Sequence, residues 1–273
     1  MPAEPEHWTW EQPDGRGLNV VWRQQGQGPE SSDSPAVVLV HGFGASSGHW
    51  RYTMPSLATQ TPTFALDLIG FGGSSQPKAV LPSDPDAQRQ TPSDEALVYG
   101  FDLWAAQVEA FCRQIVQRPV LLVGNSIGGV VVLRAAQQLG AHCQGVVLID
   151  CAQRLMDDKQ LASQPAWMAW IRPLLKTLVS QRWLSTALFR NAARPRVIRS
   201  VLGQAYPSGA NVDDALVDLL YQPTQRPGAA EAFRGFINLF DDHLAPELLA
   251  TLEQPVHLIW GERDPWEPVA EAQ

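Results

Sequence analysis

Short apolar runs alternate along this chain with segments in which apolar residues recur at helical spacing. The apolar runs predict strands at 18–23, 36–40, 63–68, 120–123, 145–149 and 255–260. Helical spacing predicts helices at 101–116 and 130–139, the second ending at Gly140. The run at 36–40 is apolar throughout, which is typical of a strand buried on both faces. The alternation predicts an α/β fold, a mostly parallel, doubly wound sheet with helices on both faces.

Two segments interrupt this alternation. Residues 76–94 contain four prolines and little periodicity, which predicts an irregular loop. Asp150 and Pro255 are 105 residues apart, although a crossover between parallel strands needs only about a dozen. Helical patterns fill that interval at 166–179, 183–189, 195–204, 213–221 and 229–240. We therefore predict a core over 1–150 and 251–273, with an all-helical cap inserted over 151–250.

Composition narrows the class of protein without indicating a chemistry. Of 273 residues, 45% are hydrophobic and 18% charged, as in globular domains. The net charge of −8, with no cluster of Lys or Arg, argues against a nucleic-acid partner. The first residues show no basic segment followed by an apolar run, and no apolar run approaches the ~20 residues of a membrane span, so we expect a cytoplasmic protein. Three unevenly spaced cysteines fit buried thiols in a reducing compartment.

A strand-to-helix turn carries the strongest chemical signal. Gly124-Asn125-Ser126-Ile127-Gly128 follows the strand at 120–123 and precedes a helix, which is the setting of a Gly-x-Ser-x-Gly nucleophile elbow. The serine must occupy a sharp turn, and side chains two residues away on either side would clash with it. A capping serine in a glycine-rich turn is the structural alternative. We predict that Ser126 is a nucleophile.

The loop after the strand at 36–40 predicts a matching oxyanion hole. Acyl transfer needs two backbone N–H donors directed at the developing oxyanion. His41-Gly42-Phe43-Gly44 places the N–H of Phe43 there, and Ile127, next to the nucleophile, supplies the second donor. His41 comes too early in the chain to be the base in the order Ser, acid, His, so we expect it to bond loop backbone.

The catalytic acid is expected in the turn after the strand at 255–260. Asp264 lies there and would orient an imidazole and stabilise its charged form. A turn aspartate before proline is the structural alternative. Asp150, at the end of the preceding strand, is a second candidate for the acid. Asp67 also ends a strand, but a glycine-rich turn follows it, so we expect a structural role.

The catalytic base should lie on a loop after one more strand, yet the chain ends nine residues past Asp264. His243 could serve only by an unusual reach from the cap. We expect an incomplete C-terminus that lacks the last strand and helix, leaves 256–259 as an exposed apolar edge, and makes turnover by these residues negligible. The histidines all fall elsewhere, at His7, His41, His49, His142, His243 and His257.

Over nearly its whole length the chain resembles the pheophytinase and chlorophyll dephytylase-like α/β hydrolases of plants and cyanobacteria. The resemblance rests on the motifs at 40–51, 67–72, 124–131, 204–206 and 260–268. Asn125 and the run from Asp264 to Pro268 are more specific than the general superfamily pattern. The resemblance implies the α/β-hydrolase fold, a Ser–His–Asp esterase with a helical cap, and a histidine in a Gly-His-Cys-Pro-like motif that would follow residue 273. Some relatives remove the phytyl chain from chlorophyll derivatives.

Three functions remain open from the sequence. The first is hydrolysis of a small hydrophobic ester without cofactor or metal, with Asn125, Trp167 and Trp170 as candidate pocket residues. Packing of cap helices on each other explains the tryptophans equally well. The second is C–C bond hydrolysis or cofactor-free perhydrolysis on the same serine. The third is a non-catalytic ligand-binding protein, because no base is visible. Peripheral contact of the cap with a membrane such as the thylakoid, and the oligomeric state, also stay open.

Overall fold

A computed structural model describes residues 3–12, 14–27, 34–81, 84, 96–154, 157–159, 166–206 and 208–272, with the backbone alone at 166–170 and 271. The chain divides into two units. The first, the sheet unit, contains Met1–Ser74, Phe101–Gln153 and His243–Gln273. The second, the helical unit, contains Ser75–Gly100 and Arg154–Asp242. Residues 75–100, which the sequence analysis placed in the core, therefore group with the helices.

The strands are β1 (Glu6–Glu11), β2 (Gly17–Gln25), β3 (Ala36–Val40), β4 (Thr63–Leu66), β5 (Lys78–Ala79), β6 (Ala96–Leu97), β7 (Val120–Asn125), β8 (Cys143–Ile149) and β9 (Val256–Ile259). The sheet unit contains a seven-stranded sheet in the order β1-β2-β4-β3-β7-β8-β9. The strands β5 and β6 form a small parallel pair in the helical unit.

The sheet is parallel from β4 to β9, and only β1 and β2 make antiparallel pairs. Every residue of β3 is buried, as expected for a parallel strand covered on both faces. The carboxyl ends of β3, β7, β8 and β9 lie at the same edge of the sheet, where open α/β folds bind their ligands. Strand β9 pairs with β8, and its side chains Leu258 and Ile259 are 50% and 56% exposed.

The helices are α1 (Thr53–Leu57), α2 (Phe101–Phe111), α3 (Ile127–Leu139), α4 (Ala166–Ser180), α5 (Arg182–Ala192), α6 (Pro195–Ala205), α7 (Asp214–Tyr221), α8 (Ala229–Ile237) and α9 (Ala245–Leu249). In the sheet unit α2 and α3 pack on each other, and α2 buries Phe101 and Trp104 completely. Among the described residues, every helix is too short or too polar to traverse a lipid bilayer.

A buried cation organises the helical unit. Arg234 on α8 is 2% exposed, and its guanidinium binds the carboxylate of Asp84 and the carbonyl oxygens of Ala79 and Ser180. Glu231, one turn earlier on α8, accepts the N–H of Ala79 at 3.0 Å. These contacts join α8 to β5, to the turn at 84 and to the end of α4, so this unit depends on buried polar contacts as well as apolar packing.

The predicted strands are confirmed, with ends that differ by about two residues. The helix predicted over 101–116 is wrong in its second part, because α2 ends at Phe111 and a π-helical turn, Cys112–Val116, closes on Gln117 in the left-handed conformation. Strand β1 was missed, although Trp8 and Trp10 alternate with polar residues there. In the proline-rich segment β5 pairs with β6, and residues 82–83 and 85–95 lie outside the described part of the chain.

Candidate active site

Ser126 occupies the turn between β7 and α3. Its backbone angles, φ of 54° and ψ of −123°, lie outside the regions that residues other than glycine normally adopt. Such a conformation persists only where surrounding contacts enforce it. Here the N–H of Ser126 donates to Ile149 at 3.0 Å, and its carbonyl accepts from Gly129 and Ala152 at 2.9 and 3.1 Å. The backbone of Ser126 is therefore held by strand β8 and helix α3 together.

Glycines on both sides of Ser126 permit this close packing. A Cβ on Gly124 would lie 2.2 Å from the carbonyl oxygen of Gly128. A Cβ on Gly128 would lie 2.6 Å from the carbonyl oxygens of both Val40 and His41. Both distances are too short for a carbon and an oxygen that are not bonded, so only glycine allows the start of α3 to approach β7 and the end of β3.

The loop after β3 lies directly against Ser126. A Cβ on Gly42 would be 3.1 Å from the Cβ of Ser126. Phe43 follows, with its ring 39% exposed and edge-on to the ring of Phe71 at a centroid distance of 5.6 Å. Ile127 is the first residue of α3, where an α-helix leaves the backbone N–H without an acceptor inside the helix. The two predicted oxyanion donors thus belong to segments that flank Ser126.

His41 and Asp67 brace this loop. The Nε2 atom of His41 accepts the N–H of Leu68 at 3.0 Å, so the proton is assigned to Nδ1, which donates to the carbonyl of Gly42 at 2.8 Å. Burial lowers the pKa of His41, although the charge of Asp67 opposes that shift. The ring is neutral because its Nε2 atom accepts a hydrogen bond. The carboxylate of Asp67 accepts the N–H of Ser47 at 2.6 Å. Both residues bond loop backbone, as the sequence analysis expected.

Asp264 and Asp150 follow neighbouring strands, β9 and β8. One carboxylate oxygen of Asp264 accepts the N–H groups of Trp266 and Glu267, both at 2.8 Å. Asp150 accepts the N–H of Gly261 at 2.6 Å. Burial raises the pKa of Asp150, and the negative charge of Asp264 adds to that effect against the hydrogen bond from Gly261. The two candidate acids therefore lie close enough to influence each other.

Glu267 stabilises the turn that contains Asp264 through two hydrogen bonds, a role that was not predicted from the sequence. Its side chain accepts the N–H of Gln153, in the segment after β8, at 2.8 Å. Its carbonyl accepts the indole N–H of Trp260 at 2.7 Å. The run of polar and aromatic residues after β9 was the available signal, but which of them meet the segment after β8 is a property of the folded chain.

All six histidines lie within the described residues, and none of them hydrogen-bonds Ser126 there. His243 bonds Asp102 on α2 at 3.0 Å, and Asp102 also accepts from Arg134 at 2.8 Å. His49 is partly buried, and desolvation together with the charge of Arg51 lowers its pKa to about 4. The other four are His7, which bonds Asn19, His41, His142 and His257.

The candidate pocket residues divide into two groups. Asn125 ends β7, and its side-chain amide donates to the carbonyl of Ile149 at 3.2 Å, which fixes it beside Ser126. The side chains of Trp167 and Trp170 lie outside the described residues. The described residues also include no group of His, Cys, Asp and Glu arranged to hold a metal ion.

Known proteins resemble this chain over most of its length. The model of the Alpha/beta hydrolase family matches residues 37–273. The chain is 23% identical over 270 residues to the chloroplastic pheophytinase of Arabidopsis thaliana, covering 88% of this chain and 53% of that protein. It is 25% identical over 254 residues to the (lyso)-N-acylphosphatidylethanolamine lipase of Bos taurus, covering 89% and 69% respectively.

Solved structures agree on the fold. A probable hydrolytic enzyme from Pseudomonas aeruginosa PAO1 superposes with a TM-score of 0.69 at 18% identity, covering 99% of this chain and 77% of that one. The likeness at this identity shows the fold alone. The chain spans about half the length of the pheophytinase that it matches.

Proposed function

Because the chain belongs to the alpha/beta hydrolase family, we propose that it hydrolyses carboxylic esters through an acyl-enzyme formed on Ser126. The observation that carries the proposal is the enforced backbone of Ser126 at the start of α3, packed against Gly42 of the loop after β3. A serine used only as a helix cap would accept an N–H from the first turn of its helix, but the Ser126 side chain makes no such bond.

The proposed reaction assigns one role to each group. The Oγ of Ser126 attacks the ester carbonyl, and the N–H groups of Phe43 and Ile127 stabilise the oxyanion that forms. Collapse of this intermediate expels the alcohol and leaves an acyl-serine, which water then hydrolyses. Asp264 is the proposed acid that orients an imidazole. Asp150 would hold Asp264 in position indirectly, because Asp150 accepts the N–H of Gly261 at the start of the turn that contains Asp264.

The proposed substrate is an ester with an apolar chain. Support comes from the relatives, because the curated proteins that match most of this chain include a pheophytinase and a lipase. The loop beside Ser126 adds the exposed ring of Phe43, which packs edge-on against the buried ring of Phe71. An aromatic wall of this kind suits an apolar group better than a charged one.

The proposed reaction also needs a proton acceptor for the Oγ of Ser126. None of the six histidines fills that role in the described arrangement, because none hydrogen-bonds Ser126. We therefore propose that these 273 residues turn over esters slowly and that imidazole added to the buffer replaces the absent base. The rate of the first acyl transfer should rise with imidazole concentration.

The test compares the wild-type chain with Ser126→Ala and with Ser200→Ala, which removes an exposed serine on α6. A p-nitrophenyl ester of a medium-length fatty acid is the substrate, with and without imidazole, and the Ser126 adduct is identified by mass spectrometry. The proposal expects an imidazole-dependent adduct in wild type and Ser200→Ala and none in Ser126→Ala. Equal rates in all three proteins would contradict it, because the hydrolysis would then be general catalysis by the buffer.

A further inference from the structure

Charge is distributed unevenly along this acidic chain. The chain as a whole has 20 Lys and Arg against 28 Asp and Glu. Residues 166–212, which contain α4, α5 and α6, nevertheless hold seven Lys or Arg and no Asp or Glu. No two of these seven cations are adjacent in the sequence, so they do not form a run of Lys and Arg. Because the same segment contains no Asp or Glu, these seven cations make this part of the helical unit strongly basic.

Three of the seven cations are exposed and carry no carboxylate partner within the described residues. They are Arg190, Arg194 and Arg196, and they surround the turn between α5 and α6. The remaining four are each paired with an acidic residue that lies outside the segment: Arg172 and Lys176 with Asp158, Arg182 with Glu231, and Arg199 with Asp214. The charge available to a partner is therefore concentrated at one turn.

Large apolar side chains are exposed on the preceding helix. Ile171, Leu174, Leu175 and Leu178 are 38%, 61%, 36% and 40% exposed. Their spacing of three, four and seven residues places them on one face of α4. Trp183, at the start of α5, is 69% exposed. A water-facing helix normally carries polar residues at such positions, so this stripe indicates a partner with an apolar phase.

We propose that α4, α5 and α6 dock on the surface of an anionic lipid bilayer. We call this surface the basic face and define it by Leu174, Leu178, Trp183, Arg190, Arg194 and Arg196. Charge complementarity argues for this partner, because arginines bind lipid phosphates while leucine and tryptophan enter the interface between headgroups and acyl chains. A nucleic acid or an acidic protein would satisfy the arginines but would leave the leucine stripe of α4 in water.

Co-sedimentation with lipid vesicles tests this docking. The Ser126→Ala chain is used throughout, so that the result does not depend on the proposed esterase. We expect binding to equimolar phosphatidylcholine–phosphatidylserine vesicles and weak binding to phosphatidylcholine alone. Sodium chloride at about 1 M should release the protein, because the Debye length is then ~3 Å. Binding that is equal for the two vesicle types, or undetectable for both, would overturn the proposal.

Charge variants locate the basic face. Replacing Arg190, Arg194 and Arg196 by glutamine should weaken partitioning about a hundredfold, because each arginine near an anionic surface strengthens binding about fivefold. The matched control replaces Arg51, Arg113 and Arg263 of the sheet unit by glutamine, which changes net charge equally. Equal weakening by the two triple variants would refute the assignment to α5 and α6.

An apolar variant completes the test. Leu174→Ser with Trp183→Ser should reduce vesicle binding while leaving the thermal unfolding midpoint unchanged, because both side chains are already largely in water. Vesicle binding at the wild-type level would show that the stripe of α4 does not enter lipid. Binding to heparin or RNA without binding to vesicles would assign the arginines to a different polyanion and overturn the proposal.

Discussion

Replacing Gly128 by alanine tests the packing that holds Ser126 in place. The added methyl would lie 2.6 Å from two backbone oxygens, those of Val40 and His41. Neither oxygen belongs to a flexible side chain, so α3 and the end of β3 must separate by about 0.8 Å before the 3.4 Å of an ordinary contact is restored. Because β3 is central in the sheet and completely buried, it has little freedom to move.

The expected cost follows from two opposing effects. Overpacking of a tight site costs about 1–3 kcal/mol. Alanine is favoured over glycine inside a helix by about 1 kcal/mol, which partly offsets that cost. We expect a net loss of up to about 2 kcal/mol in the free energy of unfolding, equivalent to a fall of up to several degrees in Tm at ~2–4 °C per kcal/mol. Separation of the loop at 41–44 from Ser126 should also reduce the imidazole-dependent rate of acyl transfer by about 10²-fold.

Gly203→Ala on α6 is the matched control. A methyl there meets no atom within 4 Å, so this variant should be unchanged or more stable by up to about 1 kcal/mol. Thermal and urea unfolding of both variants, followed by circular dichroism, give the comparison. If Gly128→Ala were as stable as Gly203→Ala and kept its esterase rate, the close approach of α3 to β3 would not be what shapes the site.

Further predictions address the proposed acid, the partly buried His49 and the ion pair of the buried Arg234. Asp264→Asn should lower the imidazole-dependent rate of acyl transfer while keeping the turn, because the asparagine oxygen still accepts both N–H groups but no longer carries the charge that stabilises an imidazolium. Asp150→Asn should retain most of that rate, and the reverse ranking would move the acid role to Asp150. The folded-state pKa of His49 is lowered to about 4, so the unfolded chain binds its proton first and stability falls as pH drops below ~6.5. Between pH 7.5 and pH 5 wild type should lose about 2 kcal/mol that His49→Gln does not lose in urea titrations, and parallel pH curves would contradict this assignment. Arg234→Leu removes the buried partner of the Asp84 carboxylate and should lower the free energy of unfolding by roughly 3–5 kcal/mol. Arg199→Leu, at an exposed ion pair, should lower it by less than about 1 kcal/mol. Similar losses for the two variants in unfolding experiments would argue against the buried network around Arg234.

Much of the sheet unit could be predicted from local patterns. Strand and helix periodicity, and the need for glycine in a sharp turn, are set by residues only a few positions apart. The strands of this unit and the glycines around Ser126 could therefore be read from the sequence. For the same reason the turn at Ser126, and the loop at 41–44 beside it, could be predicted from the sequence. The π-helical turn after Phe111 could not be predicted in this way. The apolar spacing of an α-helix continues through Cys112 and Ile115, although the backbone there changes to π-helical hydrogen bonding.

The sequence by itself determined the order of strands and helices, the turn that carries Ser126, and the glycines that such a turn requires. Only the tertiary structure decided which distant groups meet: Gly42 against Ser126, Glu267 against Gln153, and Asp150 beside the turn of Asp264. It also decided that Arg182 is paired with a carboxylate while Arg190 has no such partner in the part of the chain that the structure describes. Periodicity is a property of adjacent residues, but the partner of a charge depends on which remote segment folding brings within a few ångströms.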